Sequence, residues 1–113
     1  MNEPAIDMKE VMERVQDDRE LLMELLQIFS EDFVEKKKSL SDAVAQQNFD
    51  ELKNITHSLK GASGNISAKK LHAAFLDLEQ TAKTKNIKGA QDILPILDRE
   101  FADLQKFIAE LKK

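Results

Sequence analysis

The sequence predicts an all-α protein: an antiparallel four-helix bundle with a short extra helix at its N-terminus. Three observations carry this. Gly occurs 3 times and Pro twice in 113 residues, so the usual interrupters of helices are scarce. Trp and Tyr are absent and helix formers dominate, which leaves little to build a sheet from. Apolar residues recur three and four apart in several stretches joined by short turns, the pattern of amphipathic helices that pack antiparallel with their neighbours.

Each element follows from its own pattern. Met1–Ala5 reads as loose, with Pro4 suited to an extended lead-in. Ile6–Val15 forms a short helix with Met8, Val11, Met12 and Val15 on one side, ended by Asp17–Asp18. Asp17 and Glu20 resemble a capping box for the next helix, Asp18 to about Lys38, whose core stripe is Leu22, Leu25, Leu26, Phe29 and Phe33. Lys36, Lys37 and Lys38 then fall in its last turn, where cations favour the negative end of the helix dipole; a solvated basic end accounts for them. Ser39 or Ser41 caps a short helix through Leu40, Ala43 and Val44. Asn48 with Glu51 caps a helix running to about Ser63, which Gly64–Asn65 stops because both residues tolerate a left-handed backbone. Ser67 caps the helix Ala68 to about Thr84, with Leu71, Ala74, Phe75, Leu78 and Ala82 as its stripe. After a turn at Lys85–Asn86, the last helix covers Ile87–Leu111 with Ala90, Leu94, Leu97, Phe101, Leu104, Ile108 and Leu111 inward. Pro95 is expected to kink it or to mark where the regular helix begins.

Composition narrows the function. The length suits a single domain, residues 1–113, and a chain of this size buries roughly two-thirds of its unfolded surface. There is no Cys, which excludes disulfides, thiolate nucleophiles and zinc–thiolate sites. No apolar run approaches a membrane span and Met1–Glu10 shows no signal peptide, so a cytoplasmic location is expected. A net charge of −4 argues against general nucleic-acid binding. Neither a glycine-rich nucleotide loop nor a catalytic carboxylate pair is evident, and no metal-binding cluster stands out.

One residue draws chemistry to itself. At about 100° per residue, Leu52, Ile55, Leu59 and Ala62 share the sector that faces the core. His57 lies roughly 170° from the centre of that sector, on the outer face, by the same rotation. Asp50, Lys53, Lys60, Gly61 and Gly64 fall on its side. A histidine there is either a surface residue without a role or a reactive group presented to a partner. Lys60, three residues on, neighbours His57 on the helix surface and attracts a phosphate. Gly61 sits on the solvent side, where core packing cannot require it, although interior Gly costs about 1 kcal/mol relative to Ala. A fraying last turn explains it, or room cleared for an approaching partner.

The string His57-Ser58-Leu59-Lys60-Gly61-Ala62-Ser63, followed by Ala68, Leu71, Leu78 and Glu79, resembles the signature of histidine-containing phosphotransfer (HPt) domains. Asp17–Asp18 leading into Leu21–Phe29 is similar to the first bundle helix of that family, and the likeness covers nearly the whole chain. The resemblance implies a phosphotransfer module of a multistep two-component phosphorelay. It implies that His57 accepts a phosphoryl group from an aspartyl phosphate on a receiver domain and hands it on, with Lys60 holding the phosphate and Gly61 giving access. Glu79 matches a position that often carries Gln or Glu near the active histidine; it is either such a partner or an ordinary surface carboxylate. Thr56 stands where Ala is frequent and Ser67 where Gly is frequent.

By the same resemblance the chain is a phosphocarrier without kinase activity of its own. It binds no cofactor; Mg²⁺ is expected on the receiver, of a response regulator or a hybrid sensor kinase. The docking surface is expected to include Lys53, Ser58, Gly64, His72, Leu76 and Lys83, on a monomer, with His72 more simply an ordinary surface residue. Two other readings compete. One is a non-catalytic helical adaptor that binds a signalling partner through the His57 face. The other is the dimerisation domain of a sensor kinase, which Ser58 and the Lys60-Gly61 pair do not fit.

Overall fold

Among residues 4–113, which the computed structural model describes, there are five α-helices and no strand. The expected lead-in lies outside the described residues as far as Glu3. The helices are α1 (Met8–Arg14), α2 (Arg19–Ala45), α3 (Phe49–Asn65), α4 (Lys69–Lys83) and α5 (Ile87–Leu111). Helices α2 to α5 form a closed four-helix ring in which each packs on the next and α5 returns to α2.

Three contacts fix the antiparallel register of α2 and α5. Arg19 donates to the carbonyl of Leu111 (2.8 Å), Gln105 donates to Ser30 Oγ (2.8 Å), and Lys37 meets Asp98 (2.8 Å). The core runs the length of the ring. At its middle, Phe33 stacks on Phe101 with centroids 4.1 Å apart and packs against Phe29 and Phe75 at 6.3 and 6.1 Å.

Helix α2 does not break at Ser39 or Ser41. Leu40, Ala43 and Val44 continue the buried stripe of Leu22, Leu26, Phe29 and Phe33 without a change of phase, and Ser39 and Ser41 stay exposed. Burial of that continuous stripe outweighs the capping preference of the two serines. The three lysines therefore lie within a helix rather than at its end: Lys36 and Lys38 pair with Asp32 and Asp42 one turn away, and Lys37 with Asp98 on α5.

The turns after α2, α3 and α4 share one construction. A residue with left-handed backbone (Gln47, Ser67 or Lys85) is followed directly by the N-cap of the next helix, Asn48, Ala68 or Asn86. In each, the N-cap N–H reaches back to a carbonyl five residues earlier: Asn48 to Ala43, Ala68 to Ser63, Asn86 to Thr81. This corrects two expectations. Gly64 and Asn65 are still helical, and the left-handed stop is Ser67 (φ 57°). Ser67 is therefore not the cap of α4; Ala68 is, without a side-chain bond. Asp17 is likewise left-handed (φ 63°), so Asp18 caps α2 by accepting from the Leu21 N–H.

Helix α5 is continuous through Pro95 from Ile87. Proline lacks the N–H that would bond the Gln91 carbonyl, but both residues lie on the exposed side of the helix, where losing that bond costs least. Helix α1 buries Val11, with Ile6 and Val15 buried just outside its two ends, and this segment is latched to the α3–α4 turn. The Asp7 N–H bonds the Ser67 carbonyl (2.9 Å), and Glu10 accepts from Ser67 Oγ (2.9 Å), Lys69 (2.6 Å) and Arg14 (3.2 Å). The Lys69 hydrogen bond, then that of Ser67, lowers the Glu10 carboxyl to about 2.

Candidate functional site

The helix register of α3 sets the site. Leu52, Thr56, Leu59 and Ser63 are buried and turn the opposite face outward. The buried sector is thus rotated from the expected one: Ile55 and Ala62 only pack against the core's edge, while Thr56 and Ser63 go inside. Small size admits Ser63, whose hydroxyl donates to the Lys60 carbonyl at 2.8 Å. Thr56 Oγ1 has no hydrogen-bond partner among the described residues.

His57 stands on the outer face with its side chain 73% exposed. Its ring is nevertheless held. Nδ1 lies 3.0 Å from Oε2 of Glu79, one helix away on α4. Oε1 of the same carboxylate accepts from Lys60 Nζ at 2.8 Å. Glu79 is not a surface carboxylate; it is 4% exposed, buried between α3 and α4 at the edge of the α4 stripe. A buried carboxylate demands partners. The Lys60 hydrogen bond, with those of His57 and the charges of Lys60 and Lys83, holds its carboxyl below the usual range against the cost of burial. Lys83, one turn along α4, approaches to 3.9 Å.

Glu79 is ionised and only accepts, so the proton on this hydrogen bond belongs to His57 Nδ1. The neutral ring then carries its lone pair on Nε2, which has no partner among the described residues and faces solvent. One nitrogen is oriented and the other is open to attack an electrophile. Lys60 lies beside it, 21% exposed and oriented by Glu79. Gly61 is exposed, and a Cβ built there meets nothing within 4 Å.

The remaining sequence candidates divide. Lys53 and Ser58 are exposed beside His57, and Ser58 Oγ accepts from Lys36 of α2 (3.0 Å). Leu76 is 48% exposed on α4, one turn before Glu79. Gly64 and His72 instead serve the α3–α4 junction. A Cβ on Gly64 would come within 3.3 Å of the His72 ring, whose Nδ1 donates to the Lys60 carbonyl at 3.0 Å. His72 is half-buried by that bond and is not a plain surface residue. Sequence reasoning missed Lys36, read there as part of a solvated basic end, because its contact with Ser58 depends on how α2 packs against α3.

A family model described as the Hpt domain matches residues 24–111. The chain belongs to the Hpt-domain family. It is 24% identical over 105 residues to histidine-containing phosphotransfer protein 2 of Arabidopsis thaliana, covering 88% of this chain and 67% of that protein. Its fold is similar to histidine-containing phosphotransfer protein B (HptB) of Pseudomonas aeruginosa PAO1, with a TM-score of 0.85 and 27% identity over 96% of this chain and 95% of the other. The fold of a putative histidine-containing phosphotransfer protein from rice also matches, with a TM-score of 0.81 and 22% identity over 95% of this chain and 79% of that one. This Hpt domain is a histidine phosphotransfer module of phosphorelay signalling. No helix among its described residues is long and apolar enough to cross a membrane.

Proposed function

We propose that His57 is the phosphoryl carrier and that Nε2 is the atom that bears the group. The observation that supports this is the split environment of one imidazole: Nδ1–H directed at buried Glu79, Nε2 exposed and unpartnered. Nε2 attacks the phosphorus of a receiver's aspartyl phosphate. The N–P bond forms as the P–O bond to the aspartate breaks, and the aspartate leaves as a carboxylate. Positive charge then appears on the ring, beside the Glu79 carboxylate that faces the Nδ1 proton. Lys60 lies within reach of the phosphoryl oxygens, and Gly61 leaves open the space through which the receiver approaches. Reversal of the same step onto a second receiver aspartate passes the group on.

The receivers belong to response regulators or hybrid sensor kinases, and Mg²⁺ is expected on the receiver, not on this chain. The chain supplies the nucleophile, a local cation and a docking face, with no kinase activity of its own, as a monomer in the cytoplasm. Lys53, Ser58, Leu76 and Lys83 surround His57 and belong to the docking face; Gly64 and His72 shape it from beneath.

The test is incubation with a pre-phosphorylated receiver, followed by mass analysis at neutral to alkaline pH. An acid-labile adduct on His57, lost in His57→Gln, is the expected result. A folded protein that takes no phosphoryl group from any of several receivers, yet binds them, would make it an adaptor instead.

A further inference from the structure

On the flank of the bundle away from the α3–α4 pair, helices α2 and α5 leave a groove of about 410 Å³ lined by Ser30, Glu31, Val34, Glu35, Phe101 and Gln105. Its floor is the edge of the Phe101 ring, whose face is stacked on Phe33, and its wall is Val34, which is 64% exposed. Folding does not explain Val34. A β-branched residue is a middling helix former, and here it leaves an aliphatic group in water beside a ring it does not cover. Glu31 and Glu35 rim the groove one turn apart, and among the described residues neither has a cationic partner. Asp98 on α5 is paired with Lys37. Further along α2, Lys36 pairs with Asp32 and Lys38 with Asp42, whereas Glu20 and Glu24, outside the groove, also lack a cationic partner among the described residues. An apolar slot with an uncompensated acidic rim complements an apolar ridge flanked by cations.

We propose that this groove is a second docking site, for a basic amphipathic helix of a partner protein, separate from the face that carries His57. The ring order places α2 and α5 opposite α3 and α4. A helix seated here leaves His57 and Glu79 uncovered, so a tethering partner and a receiver bind at the same time. Such a helix fits a groove between two helices by inserting aliphatic residues spaced three and four apart while its lysines or arginines meet Glu31 and Glu35.

The test is an amide NMR titration of the whole chain with two synthetic 14-residue peptides, an amphipathic Lys/Leu helix and a Lys/Ser peptide of equal charge. The expected result is saturable shifts for Ser30, Glu31, Val34, Glu35, Phe101 and Gln105 with the Lys/Leu peptide only. Val34→Ser, at a position exposed enough to tolerate it, is expected to weaken that binding about tenfold, the scale of one aliphatic group buried. Glu35→Lys should weaken it as well. Equal shifts with both peptides, spread over all acidic residues, would overturn the proposal in favour of plain charge attraction. Shifts centred on the His57 face would overturn it too. So would concentration-dependent shifts at the groove without peptide, which would make it a contact between copies of this chain. Phosphoryl acceptance by His57 is expected to be unchanged in Val34→Ser, so failure of the groove and failure of the carrier assignment are read separately.

Discussion

The Nδ1 of His57 lies 3.0 Å from a carboxylate oxygen of Glu79, an exposed ring anchored by a buried charge. That contact fixes both the rotation of the imidazole and which nitrogen keeps its proton. Removing it in Glu79→Ala frees the ring to turn and to exchange tautomers. Imidazole nitrogen NMR is expected to show the Nδ1–H form dominant in the parent and the Nε2–H form gaining in the variant. Phosphoryl acceptance should slow about tenfold, the scale of one charge-assisted hydrogen bond lost from the reacting geometry. An unchanged tautomer ratio would show that Glu79 serves only Lys60.

Glu10 ties α1 to the start of α4, and its acid behaviour gives a second prediction. Its carboxyl is lowered from an ordinary value of 4.5 to about 2, chiefly by the Lys69 hydrogen bond. A folded value below the unfolded one means the stabilisation is complete above about 4.5 and is lost as the pH falls toward 2. Glu79 contributes in the same direction, so the comparison is made against Glu10→Gln. Melting temperatures of parent and variant should differ most near neutrality and converge as the pH drops through this window. High salt should narrow the gap at neutral pH, because Lys69 and Arg14 are each about half exposed.

The hydroxyl of Thr56 is enclosed by the core with no partner, one residue from His57. Thr56→Val keeps the shape and removes the unpaired group, and is expected to stabilise the fold by about 1 kcal/mol. In urea the midpoint should rise by roughly 0.5 M with an unchanged slope. Phosphoryl acceptance by His57 should stay at the parent level, since the valine methyl points inward with the rest of the α3 stripe. A fall in stability would mean that a buried water satisfies the hydroxyl.

Much of this architecture was legible because it rests on apolar periodicity. The stripes of α4 and α5 and the outward turn of His57 follow from the spacing of Leu, Phe and Ala, and the Asn48 cap from the Asn48 and Glu51 pair. The turn at Lys85–Asn86 was legible as well, but the boundaries set by Asp17 and Ser67 were not. Both hold left-handed geometry without being glycine, and the turn bonds that impose it involve residues on both sides of the turn. Glu79 illustrates the other gap. Sequence left it either a partner of His57 or a surface carboxylate, because burial beside His57 and Lys60 depends on how closely α3 and α4 approach. His72 misled for the same reason, since its partner is the backbone carbonyl of Lys60 on the neighbouring helix.

Gly61 separates the demands of folding from those of docking. A methyl group there meets nothing within 4 Å, so the bundle does not require glycine at that position. Gly61→Ala should raise stability by about 1 kcal/mol, the helix-propensity gain at an exposed interior site. The same methyl narrows the ground beside His57 over which a receiver must pass. Transfer from a phosphorylated receiver should therefore slow, while phosphorylation of His57 by the small donor phosphoramidate should be unaffected. Comparing the two donors on one stabilised variant tests access directly, because the nucleophile, Glu79 and Lys60 are untouched. Rates unchanged by Gly61→Ala with both donors would remove the docking role from Gly61, and would leave Lys60 and the surrounding exposed side chains to govern approach.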